Sequence, residues 1–127
     1  MNRVLGIGGI FIKAKDPAAM KAWYRLHLGM DIQEWGGATF DWPSPDRPHE
    51  KGTTAWSLFP QDSKYFDPST APFMVNYRVE NLDALVTALR AEGCQVDEKT
   101  DSSEYGKFGW VMDPEGNRIE LWEPPTP

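Results

Sequence analysis

Asp113-Pro114-Glu115-Gly116-Asn117-Arg118-Ile119-Glu120-Leu121-Trp122-Glu123 joins a turn signal to an alternating strand near the end of the chain. Its first five residues carry turn chemistry: proline presets φ at the second position, and Gly116 or Asn117 can adopt the positive φ that reverses the chain. The remainder reads as a strand of period two. Ile119, Leu121 and the stem of Glu123 fall on one face; Arg118, Glu120 and Trp122 fall on the other. Across the turn, Trp110, Val111 and Met112 make the partner strand apolar, so Glu120 projects a carboxylate from a hydrophobic hairpin. Strand parity leaves two places for it, an open solvated sheet face or the wall of a cleft.

The 127 residues suffice for one cored domain or for two small halves that share a core. A hydrophobic fraction of 40% with 25% charged residues is that of an ordinary globular chain. No apolar run approaches the roughly 20 residues that span a bilayer. The segment Met1-Asn2-Arg3-Val4-Leu5-Gly6 lacks the features of a secretion signal, so a cytoplasmic location is expected. Cys94 is the sole cysteine, which excludes an intrachain disulfide and a multi-cysteine zinc site. Its place after Gly93 and near Val96 suggests a small buried residue at a strand start. A net charge of −6 argues against nucleic acid or an anionic membrane as partner. Six Trp, six Phe and four Tyr exceed the needs of a minimal core. They could fill it, line a pocket or form a subunit interface.

The chain order repeats itself. Residues 7–14 read as a strand, with Gly8 and Gly9 leaving room for close approach. Asp16-Pro17 then caps a helix whose apolar stripe contains Met20, Trp23 and His27, with Tyr24 and Leu28 beside them, and which Gly29 ends. Strand-like segments follow at 30–34, 39–42 and 53–59, a βαβββ order. The polar, proline-containing segment 61–72 reads as a linker. Beyond it come a strand at 73–79, a helix capped at Glu80-Asn81 with Leu82, Leu85, Val86 and Leu89 on one face, and a stop at Gly93. Strands at 94–98, 108–113 and from 117 onward, with a loop at 101–107, complete a second βαβββ unit. Thirteen positions separate Asp16 from Gly29, and thirteen separate Glu80 from Gly93. Equal spacing and equal order suggest an internal duplication. The expected fold is α+β: one domain over residues 1–127, with modules at about 5–60 and 73–124 whose mixed sheets enclose a cleft.

The paired βαβββ order, the Asp16-Pro17 helix with Trp23-Tyr24 and His27-Leu28-Gly29-Met30, and the stretch from Asp113 to Trp122 resemble the vicinal oxygen chelate superfamily. That superfamily includes glyoxalase I, extradiol dioxygenases, fosfomycin resistance enzymes and bleomycin resistance proteins. In its metal-dependent members the resemblance implies ligands from the first and last strands of each module. The matching positions here are Gly9, Ser57, Phe73 or Met74, and Glu120, and only Glu120 is of ligand type. His27, on the helix, reads as a partly packed or surface residue, and His49, in the proline-rich loop, reads as a solvated loop residue, with a place in a lid over the cleft as its alternative.

The resemblance therefore implies a small-molecule binding protein of the bleomycin resistance type, without an intact metal site and with no cofactor expected. A divalent-metal-dependent lyase, isomerase or dioxygenase is the alternative. A third reading makes Glu120 a general base whose pKa an apolar cleft would raise, assisted by Tyr77 or Tyr105. Trp56, Ser57, Tyr77, Tyr105, Trp110 and Glu120 are the candidate ligand-binding residues, with Glu120 also able to face a cationic ligand group. Loops 43–52 and 60–71 are expected at the cleft mouth, where Tyr65 and Phe66 could fold over a ligand or onto a second subunit. A homodimer is expected from the surplus of aromatic residues and from the habit of such relatives.

Overall fold

Both helices begin where a side chain can satisfy backbone donors that the helix leaves free. The structure, a computed structural model, describes residues 3–43 and 49–126. Asp16 accepts a hydrogen bond from Ala19 N at 3.1 Å and opens α1 (Pro17–Leu28), which ends at Gly29 with φ of 63°. Asn81 accepts from Ala84 N at 3.1 Å and opens α2 (Leu82–Ala91), where Glu123 also accepts from Leu82 N at 2.8 Å. The last strand is thus tied to the start of the second helix.

The strands are β1 (Val4–Ala14), β2 (Gly37–Pro43), β3 (Lys51–Pro60), β4 (Phe73–Val79), β5 (Asp101–Ser103), β6 (Gly106–Met112) and β7 (Arg118–Glu123). They form one mixed sheet in the order β2-β3-β1-β4-β7-β6-β5. β1 and β4 run antiparallel at the centre; each takes its own module's last strand as a parallel neighbour, β3 on one side and β7 on the other. The architecture is α+β and consistent with the paired βαβββ plan.

Three local expectations are corrected. Residues 30–34 form no strand: the Ile32 carbonyl accepts from Arg25 at 2.8 Å, and Ile32 is buried beneath α1. The apolar residues there anchor the helix exit rather than a ladder. Residues 94–98 make only an isolated bridge, Val96 to Val111, and Cys94 is exposed rather than buried. The second strand of the second module lies instead at β5, inside the segment read as a loop, because Tyr105-Gly106 turns the chain back onto β6 with Gly106 at a φ of 113°. In the stretch from Asp113 to Glu123 the turn forms as read: Asp113 accepts from the backbone N–H groups of Glu115 and Asn117, both at 2.9 Å, and Gly116 takes the positive φ of 82°.

Packing separates the two faces of the sheet. On one face Ile10, Ile12, Trp56 and Leu58 meet Met20 and Tyr24 of α1, while Val79, Leu121 and Ile119 meet Leu82, Leu85 and Val86 of α2. On the other face no helix packs among the described residues; Phe11, Phe59, Met74, Phe108 and Trp110 surround Phe66, which comes from the linker after β3. The α1 stripe is narrower than its sequence suggests. Met20 and Tyr24 pack, whereas Trp23 and His27 are exposed and α1 buries no residue.

Candidate ligand site

Register brings three side chains to one level of the helix-free face. Asn76 of β4 is the partner of Glu120 of β7, and Glu120 is in turn the partner of Trp110 of β6. Residues directly opposite in a ladder point to the same face, so the three converge. Glu120 is only 2% exposed. Its Oε1 accepts from Asn76 Nδ2 at 2.7 Å, and its Oε2 accepts from Trp110 Nε1 at 2.9 Å and from the Tyr65 hydroxyl. A buried carboxylate is costly unless donors replace its water, and three donors do so here.

Tyr65 reaches this carboxylate from the linker. Its ring lies nearly parallel to Phe59, 13° between planes and 5.6 Å between centroids, and meets Trp110 edge-on at 6.3 Å. The next residue, Phe66, is fully buried in the aromatic cluster and fixes the segment. Burial, and then the adjacent Glu120 charge, push the Tyr65 phenol well above its ordinary pKa, because ionisation would place two anions side by side. Asn76 is held by its bond to Glu120 on one side. On the other its Oδ1 has no hydrogen-bond partner and lies against Gly8, where a Cβ would come within 2.2 Å of it. Gly8 supplies the close approach that its sequence position suggested.

The structure places the six candidate ligand-binding residues in three different settings. Ser57, Trp110 and Glu120 share the helix-free face, Ser57 through its pairing with Phe11. Trp56 and Tyr77 are on the opposite face: Trp56 packs against Tyr24 at 4.7 Å, and Tyr77 against the α2 core. Trp56 and Ser57 are sequence neighbours on a strand, so they cannot line one wall. Tyr105 is exposed in the turn between β5 and β6, where its carbonyl accepts from Trp122 Nε1 at 2.8 Å. Sequence reasoning missed Asn76, although a polar residue between Val75 and Tyr77 marks it, and missed that Tyr65 and Glu120 meet.

The donor set does not fit the divalent ion that the fold's metal-dependent relatives imply. Gly9 has no side chain, Met74 is buried in the aromatic cluster with a thioether only, Ser57 is a weak neutral donor, and Glu120 is already held by three N–H or O–H groups. Among the described residues no three His, Cys, Asp or Glu side chains converge, and His27 and His49 are exposed.

Helices on one face, side chains filling the other and a matching strand order in each half define a scaffold of the glyoxalase type. The model of the glyoxalase-like domain family matches residues 9–122, and the chain belongs to that family. Among solved structures, methylmalonyl-CoA epimerase from Mycobacterium tuberculosis is 22% identical with a TM-score of 0.61, covering 99% of this chain and 92% of its own. A variant of the Streptomyces coelicolor methylmalonyl-CoA epimerase in complex with 2-nitronate-propionyl-CoA is 18% identical with a TM-score of 0.68, covering 97% and 99%. A glyoxalase/bleomycin resistance protein/dioxygenase superfamily member from Vibrio splendidus 12B01 is 12% identical with a TM-score of 0.58, covering 92% and 97%. At these identities the likeness speaks for the fold. No curated protein matches the chain. No helix among the described residues is long and apolar enough to cross a membrane.

Proposed function

We propose that this protein binds a small organic ligand on the helix-free face of its sheet, between the modules, and does so without the family's metal chemistry. The observation that carries the reading is the Glu120 cluster: the one family position of ligand type is engaged by Tyr65, Asn76 and Trp110, while Phe11, Phe59 and Phe108 offer apolar ring surface around it. Such a face, largely apolar with a few convergent polar groups, is the usual make-up of a small-molecule site. A structural relative in complex with 2-nitronate-propionyl-CoA supports a small-molecule occupant. Among the described residues the family's metal positions offer the metal-dependent alternative one side chain of ligand type, Glu120, and Glu120 as a general base would first have to lose one of its hydrogen bonds.

The test pairs elemental analysis of untagged protein, purified without chelator, with a screen of small aromatic compounds by Trp fluorescence and melting temperature. The reading expects no stoichiometric metal and no uptake of added Zn²⁺, Ni²⁺, Mn²⁺ or Fe²⁺, together with ligands that quench emission and raise the melting temperature. Stoichiometric metal at Glu120 would reverse it. A homodimer belongs to the same proposal. Its support is the apolar surface of the first module, where Trp23, Leu26 and Trp35 are 50%, 78% and 55% exposed.

A further inference from the structure

We propose that the ligand is a flat aromatic compound carrying one hydrogen-bond donor on its ring, of the phenol type, and that it binds by taking the place of the Tyr65 side chain. This rests on the reading of the helix-free face as the ligand site. The Tyr65 side chain is itself a phenol bound there: stacked on Phe59, edge-on to Trp110, its hydroxyl on Glu120 Oε2. Of the three donors around the carboxylate, Asn76 and Trp110 stand on sheet strands and are 3% and 5% exposed. Tyr65 stands on the linker and is 39% exposed. It is the donor that can leave. Rotation about its own side-chain bonds suffices, because the neighbouring Phe66 keeps the linker anchored in the core.

With Tyr65 turned out, the uncovered pocket presents the Phe59 face, the Trp110 edge and one carboxylate oxygen short of a donor. The Asn76 Oδ1, the other buried acceptor without a partner, faces Gly8 and not this pocket, so Glu120 Oε2 is the acceptor left for a ligand. A floor with only acceptors to spare takes an O–H or N–H donor and rejects a carboxylate or a phenolate. The ring recognised carries no negative charge at the donor.

The experiment uses the full chain and three variants of one probe: phenol, benzene, which lacks the donor, and benzoate, which carries an anion. Wild type, Tyr65→Phe and Glu120→Gln are titrated by calorimetry, with backbone NMR locating the response. Tyr65→Phe keeps the internal ring and creates no hole, but it no longer ties that ring to Glu120. Phenol is expected to bind wild type in preference to benzene and benzoate. It should bind Tyr65→Phe about tenfold more tightly, since the internal competitor has lost its charged hydrogen bond. Glu120→Gln should erase the preference for phenol over benzene. A coloured ionisable phenol, 4-nitrophenol, should lose its phenolate absorption on binding near its own pKa. Equal phenol affinity in wild type and Tyr65→Phe, or benzoate binding as well as phenol, overturns the proposal. If other small molecules shift the helix-free face while none of the aromatic probes does, this inference falls and the ligand-site reading stands. If nothing binds that face, both fall.

Discussion

The two modules put different chemistry at matching places. Counted from the helix caps Asp16 and Asn81, Phe11 and its partner Ser57 in the first module correspond to Asn76 and its partner Glu120 in the second. One half contributes an aromatic floor and a weak polar group; the other contributes a buried carboxylate and the amide that holds it. The helices differ in the same sense. α2 buries Leu82, Leu85 and Val86, whereas α1 buries none of its residues and exposes Trp23, Leu26 and Leu28. A duplicated plan has thus been divided: the second module holds the polar anchor and the tighter helix packing, and the first keeps apolar surface to spare.

Removing the anchor and its counterpart separately should affect stability very differently. Glu120→Ala strands two buried donors, Asn76 Nδ2 and Trp110 Nε1, and frees Tyr65. Each buried donor left unmade costs about 1–3 kcal/mol, so a loss of about 4 kcal/mol is expected. Ser57→Ala, at the matching place, should cost less than about 1 kcal/mol. Urea unfolding of both variants checks this, and equal losses would dissolve the asymmetry.

A smaller effect sharpens the contrast between the helices. Leu82 is 1% exposed and packs with Val79, Leu85, Val86 and Leu121. Leu82→Ala should cost about 3 kcal/mol through the lost transfer energy and the cavity left behind. Met20→Ala on α1, where the side chain is only half-buried, should cost about 1 kcal/mol. Thermal unfolding of the pair would show whether the first helix is as loosely held as its exposure implies.

Why the sequence disclosed the scaffold more readily than the site follows from the reach of each signal. The Asp16 and Asn81 caps, the Gly29 and Gly116 positive-φ positions and the alternation in β7 act within a few residues, and each formed as read. The matching order of elements disclosed the repeat, although the equal spacing counted from Glu80 does not hold, because the second helix is capped by Asn81. The site depends instead on register between strands distant in sequence. Trp56 and Tyr77 are aromatic and sit on the strands that carry Ser57 and Asn76, but parity turns both toward the helices. Register shifts in β1 between Val4 and Gly6 and between Ile7 and Gly9 alter the phase that a simple period-two count assumes. Glu120 drew attention because a charge between Ile119 and Leu121 conflicts with its surroundings; its partners Tyr65, Asn76 and Trp110 lie 55, 44 and 10 positions away, and no local pattern links them. The segment 30–34 misled for the opposite reason, since its apolar residues serve the α1 core without a ladder. The loop expectation at 43–52 falls partly outside the described residues.

The surface left over on the first module leads to the smallest effect on stability and the clearest effect on assembly. Leu26 projects from α1 with 78% of its surface exposed, one turn beyond Trp23, whose ring packs on His27 at 5.2 Å. An isolated exposed leucine is unremarkable; an exposed leucine, tryptophan and a second tryptophan at position 35 in one module form apolar area that association can bury. Replacing Leu26 by Ser removes no packed contact within the chain, so its unfolding free energy should change by less than about 0.5 kcal/mol. If two copies meet through α1, the same change places a hydroxyl in the interface and shifts the sedimentation boundary from dimer toward monomer. A dimer that survives both Leu26→Ser and Trp23→Ser would move the interface elsewhere, and the looseness of α1 would then be a property of the first module alone rather than a consequence of its partner.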